Sequence, residues 1–310
     1  MTGPRLGARL WWGLAPLLVL LWGTGSLIVT SVPGLPSTPL VTLVAVPGLG
    51  FARLVALALV AGALAMPVLD PSVDTRRWAW CWGAAAVGLV AVSLAGVSAD
   101  VAATELLGSS TRPTLVEVAG GTAIGLALVI QAGLVVLALV CTASRARTMR
   151  VASLVLVLLA TFPPSFTGHA GLSGQHSVAA FSIALHVAAV SLWVGGLAVL
   201  VALIGADASR APRLLPRFSV LALVCVIVVG ESGLLTASLT TGELSALLGT
   251  TYGSEALAKC VLFAWLVWLG WRQRRRAVDR LGDVAVPRIL AQLAGIELTV
   301  MGTAIATAVV

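Results

Sequence analysis

TFPPSFTGHAGLSGQHSVAAFSIALHVAAVSLWVGGL, residues 161–197, gathers all three histidines of a 310-residue chain around a Pro-Pro pair and then runs into apolar sequence. From Ser177 to Ala206 the only ionisable side chain is His186. A run of that length reads as a helix crossing the ~30 Å of bilayer hydrocarbon, which takes about 20 residues. Working outward from it, runs of the same kind place spans at 10–30, 47–69, 78–98, 116–141, 150–166, 176–206, 215–240, 255–271 and 288–310. The fold class is therefore all-α: a polytopic transmembrane helical bundle of about nine spanning helices.

Composition leaves no room for a soluble alternative. Hydrophobic residues make up 59% of the chain and charged residues only 10%, against roughly a quarter charged in an average soluble domain. The net charge of +7 has a membrane address rather than a nucleic-acid partner. Of 19 basic residues, 16 fall before the first span or after the second, fourth, sixth and eighth. Those positions share one side if every helix crosses once, so the positive-inside rule puts the N-terminus in the cytoplasm. Arg5 and Arg9 begin like a secretory signal, but the run from Leu10 to Thr30 is long and no small-x-small cleavage site follows. An uncleaved span is expected. Cys81, Cys141, Cys225 and Cys260 are scattered without a C-x-x-C pair, which is the pattern of buried apolar thiols.

The basic loop 143–150 divides four nearly featureless helices, residues 1–150, from a region 151–310 that holds every histidine. The chain stops at GTAIATAVV, inside or at the end of an apolar segment. A truncated chain or one half of a longer fused protein is expected on that ground.

An ionisable group inside a span costs at least ~2.5–3.5 kcal/mol and is a functional candidate by default. Counted at 1.5 Å per residue, His186 lies roughly 15 Å below the start of its helix and Glu297 roughly 13 Å above Arg288, both near the midplane. Glu231, fourteen residues beyond Arg217, falls in the outer third. Lys259 follows Glu255 at the outer end of the eighth span; it and Glu231 are placed either to pair or to serve transport. Arg53 is long enough to snorkel outward. Ser182, His186 and Trp193 recur at spacings of four and seven along one helix face, followed by Gly195-Gly196 where another helix can approach.

About twelve apolar residues separate Arg150 from Pro163-Pro164, a rise of roughly 18 Å, which is short of the hydrocarbon thickness. The fifth span thus either kinks past the prolines or continues as irregular backbone, which is tolerated at membrane depth only when covered by protein or lining a wet cavity. His169 would then hang into an outward vestibule above His186, with His176 at its rim. Imidazole suits copper, zinc, iron and nickel, yet H-x6-H-x9-H matches no compact zinc motif. The residues themselves reach a transition-metal or proton pathway and no further.

The block 168–300 resembles the copper resistance protein D family of membrane proteins. The likeness rests on GHA at 168–170, HVAAVSLWVGGL at 186–197, RFS at 217–219, ESG at 231–233 and TTYGSEALAKCVL at 250–262. The arginine cluster after the eighth span and Glu297 in the next complete it. The first 150 residues resemble the family only in being helical membrane sequence. The resemblance implies copper handling at the bacterial inner membrane, described as uptake or transfer from the periplasm toward the cytoplasm. His169, His186, Trp193, Glu231, Tyr252, Lys259 and Glu297 occupy matching motif positions. The arrangement is also similar to fusions in which such a region precedes a cytochrome c oxidase assembly region.

The expectation is thus a multi-pass copper-transport protein without chemical catalysis, contributing to copper homeostasis. Copper would enter near His169 and His176 and pass to His186, with Glu231 and Glu297 balancing charge or accepting protons. Expected partners are the copper ion, the lipid bilayer and, for delivery to a respiratory oxidase, a periplasmic copper chaperone or the cytochrome c oxidase assembly machinery. Two rivals stand beside it: a membrane scaffold for oxidase assembly with no metal site, and a haem-binding electron carrier, which needs two facing imidazoles. An ATP-driven pump is excluded because there is no G-x-x-x-x-G-K-[ST] loop.

Overall fold

A computed structural model describes residues 40–101, 111–167, 176–241 and 251–279. The expected spans at 10–30 and 288–310, with Glu297, lie outside the described residues. Those described are helical, with no strand among them. In chain order they form α1 (Leu40–Leu69), α2 (Arg76–Val101), α3 (Thr111–Gly121), α4 (Ala123–Cys141), α5 (Arg147–Leu159), α6 (His176–Ala206), α7 (Ala211–Thr241) and α8 (Thr251–Asp279). Short 3-10 turns at Pro163–Phe166 and Ala208–Arg210 join them. Six segments among the described residues are long and apolar enough to cross a membrane: Pro47–Leu69, Arg76–Ser98, Ala123–Cys141, Arg147–Phe166, Ser177–Ala206 and Ala208–Leu239.

The span expected at 116–141 is not one helix. Gly120 and Gly121 weaken it, and Thr122 turns extended (φ −119°, ψ 147°) and caps α4 by accepting from the Gly125 N–H at 3.0 Å. A small hydroxyl after two glycines is N-cap chemistry.

The fifth span resolves the choice left open by its prolines. Regular helix stops at Leu159, and Pro163–Phe166 finishes the span as a single 3-10 turn packed against α4 and α6. Neither Pro163 nor Pro164 has an N–H to give the Ala160 carbonyl, so that acceptor would be orphaned in hydrocarbon. Gln131 of α4, itself 1% exposed, donates its Nε2 to it at 2.7 Å. The same solution appears in α1. Pro67 deprives the Ala63 carbonyl of its helical donor, and the Thr75 hydroxyl, from the start of α2, donates instead.

The deepest packing joins α1 to α6, two helices running in the same direction. A Cβ on Gly62 would stand 2.1 Å from the Gly195 carbonyl oxygen, and one on Gly195 would stand 1.6 Å from that of Ala58. Only hydrogen fits at this crossing, and close backbone approach is what binds helices where lipid removes the hydrophobic drive. Around it the core is made of small and β-branched residues with leucines, among them Val60, Ala63, Met66, Val135, Ala138, Leu200 and Leu214. A helix of the first half and a helix of the second thus share one core.

Arginines tie the helix ends together on one side of the bundle. The last carbonyls of α1 lack intrahelical donors; Arg150 Nη1 reaches Pro67 O at 3.3 Å and Arg217 Nη1 reaches Leu69 O at 2.7 Å. Asp70 follows at 8% exposure. The Ser72 N–H and hydroxyl, then the charges of Arg217 and Arg213, hold its carboxyl below the usual range against the opposing effect of burial.

Candidate functional site

His186 sits on α6 facing α7, and its Nδ1 lies 3.0 Å from Ser232 Oγ. The serine hydroxyl has one proton and three acceptors in reach: His186 Nδ1, Val228 O at 2.5 Å and Val229 O at 3.2 Å. When a carbonyl takes the proton, Ser232 Oγ accepts from an Nδ1–H; when the ring takes it, the hydroxyl donates to Nδ1. A bond of this kind orients a histidine ring and sets which of its nitrogens serves a cation or a proton.

A short polar ladder surrounds this contact. Ser182, one turn earlier on α6, donates to the Ser232 carbonyl at 2.9 Å and accepts from Thr236 at 3.2 Å. Gly233 lies beside the ring: a Cβ there would make ordinary contact, 3.7 Å from His186 Cε1. The face predicted from Ser182, His186 and Trp193 is therefore the α6–α7 seam, with Trp193 at 7% exposure part of the core.

The depth expected for His186 changes. Its partner Ser232 is fifteen residues beyond Arg217, a rise of roughly 22 Å from the arginine-rich end, so His186 shares the level of Glu231 rather than the midplane. Helix α6, at 31 residues, is longer than the hydrocarbon is thick, and counting from its first residue overstated the depth.

The other candidates are less closely gathered. Glu231 and Lys259 are both exposed and no ion pair joins them. His176 opens α6 and Tyr252 lies in the first turn of α8; His169, like Glu297, lies outside the described residues. Among the described residues no group of three or more His, Cys, Asp or Glu side chains converges as a metal cage would. Arg53 Nε and Gln131 Oε1 are buried without a partner there. Sequence reasoning noted ESG at 231–233 but missed Ser232 as the residue that touches His186; its signal was a serine beside an intramembrane acid.

Six membrane-length segments among the described residues, around a small-residue core and with one imidazole anchored between two of them, define a multi-pass membrane protein. The chain belongs to the copper resistance protein D family. The model of copper resistance protein D matches residues 212–310, and that of the copper resistance protein D-like, N-terminal domain matches residues 40–178. The likeness thus begins at α1, well before the motifs that carry it in the sequence. The copper transport protein CutJ of Bacillus subtilis (strain 168) is 32% identical over 188 residues, covering 54% of this chain and 34% of that protein. The aligned part thus spans about a third of the relative's length. No solved structure matches the chain.

Proposed function

We propose that the protein carries copper ions across the bacterial cytoplasmic membrane, with His186 as a contact on the path and no chemical reaction catalysed. The observation that carries this reading is the His186–Ser232 bond, which holds a lone intramembrane imidazole in a set orientation between α6 and α7. Imidazole is a good ligand for copper, and the family and the name of the Bacillus subtilis relative supply the metal. Copper is cargo here, so a site with few ligands suits it: binding must be weak enough for the ion to leave. His169 and His176 remain the proposed entrance, with Glu231 and Glu297 as charge-balancing groups and an extracytoplasmic copper chaperone or oxidase assembly machinery as partners.

The test is Cu(I) titration and metal content of the purified full chain by elemental mass spectrometry, together with copper flux into proteoliposomes. His186→Ala and His169→Ala are compared with wild type. Copper bound and moved by wild type but not by either variant supports the reading. Wild type that neither binds nor moves copper defeats it and favours the assembly scaffold, and a Soret band would favour the haem carrier.

A further inference from the structure

At the arginine-rich end, Trp80 of α2 donates its indole N–H to Thr142 Oγ1 at 3.0 Å, and Thr142 in turn donates to the Leu139 carbonyl at 2.6 Å. This bond ties the start of α2 to the short connection between α4 and α5. Arg76 and Arg77 precede Trp80 by four and three residues, so they lie on the same face of α2, beside that connection. The connection itself carries Arg145 and leads into Arg147. All four arginines are exposed, and no ion pair involves any of them among the described residues.

The acids at this end are otherwise engaged. Asp74 accepts the Arg76 N–H, Asp70 accepts from Ser72 and faces Arg217, and Asp207 is bonded to Ser209 and Arg210. Trp78, Trp80 and Trp82 are 37%, 44% and 42% exposed. Tryptophan of this exposure at the end of a membrane helix sits at the level of lipid headgroups. Four unpaired guanidiniums and the Trp80 indole therefore share this corner, at the level where a phosphate and its glycerol backbone lie.

We propose that this corner, formed by the start of α2 and the α4–α5 connection, is a binding site for an acidic phospholipid. Its phosphate is held by Arg77, Arg145 and Arg147, with Arg76 alongside, and an acyl chain lies along Trp80. Guanidinium pairs with phosphate through two parallel hydrogen bonds, and basic pockets between helices at this membrane face are where anionic headgroups bind. The site is independent of His186, which lies toward the other end of the bundle.

The full chain, purified in neutral detergent, is titrated with phosphatidylglycerol and separately with phosphatidylcholine, and bound lipid is counted by native mass spectrometry. Wild type should retain phosphatidylglycerol in preference. The triple variant Arg77→Gln, Arg145→Gln, Arg147→Gln should bind it at least about tenfold more weakly, while Arg272→Gln, whose guanidinium stacks over Trp268 on α8, should bind like wild type. The lysine version of the triple variant keeps the charge and folds under the same constraints, so it should fall between. No preference in wild type, equal retention in the glutamine triple variant, or the same effect from inorganic phosphate alone overturns the proposal.

Discussion

Gln131 of α4 donates to the carbonyl of Ala160, 2.7 Å away, supplying the hydrogen bond that Pro164 cannot. Removing it leaves a buried acceptor unpaired. Gln131→Leu should therefore destabilise the bundle by about 1–3 kcal/mol, read as thermal unfolding in detergent. In a background carrying Pro164→Ala, which restores an N–H, the same substitution should cost clearly less. Equal losses in both backgrounds would show that the amide acts some other way.

Ser232 Oγ is hydrogen-bonded to His186 Nδ1 at 3.0 Å. Ser232→Ala should weaken Cu(I) binding by about 10- to 100-fold, the usual effect of losing a partner of a metal-binding histidine, whereas His186→Ala should abolish it. Affinity unchanged in Ser232→Ala would mean that the tautomer does not matter for binding.

Gly195 faces the Ala58 carbonyl with no space for a methyl group. Gly195→Ala must push α1 and α6 apart, at a cost of about 3 kcal/mol or more, and should lower both thermal stability and yield of folded protein. Gly133, which has nothing within 4 Å, provides the contrast: Gly133→Ala should be neutral or stabilise by up to about 1 kcal/mol.

The carboxyl of Asp70 is held below its ordinary value by Ser72 and then by Arg217 and Arg213. A depressed carboxylate contributes stability above its unfolded value, about 3.9, and loses it as pH falls through the lower folded value. Unfolding followed from about pH 7 downward should show Asp70→Asn less stable than wild type at neutral pH, with the gap closing below about pH 4. A gap that stayed constant would remove charge from the explanation.

Long apolar runs made most helices legible from sequence, because a membrane admits only segments that satisfy their own backbone. His186 stood out for the same reason: an imidazole inside such a run is costly enough to be noticed. What could not be read was which helix meets which. Ser232, Gln131 and Thr75 are ordinary polar residues until the fold brings them to a ring nitrogen or a proline-orphaned carbonyl. The break at Thr122 was hidden because Gly120-Gly121 lies inside a run whose mean hydropathy stays high. The depth of His186 was misjudged because α6 extends beyond the hydrocarbon.

The two replacements for missing proline N–H groups also bear on biogenesis. Thr75 follows Ala63 by twelve residues and Gln131 precedes Ala160 by twenty-nine. Each interrupted helix thus finds its substitute donor either in a segment already synthesised or in the next few residues to leave the ribosome. Insertion can proceed in order at both places, and neither the Ala63 nor the Ala160 carbonyl has to wait in lipid for a distant part of the chain to be made.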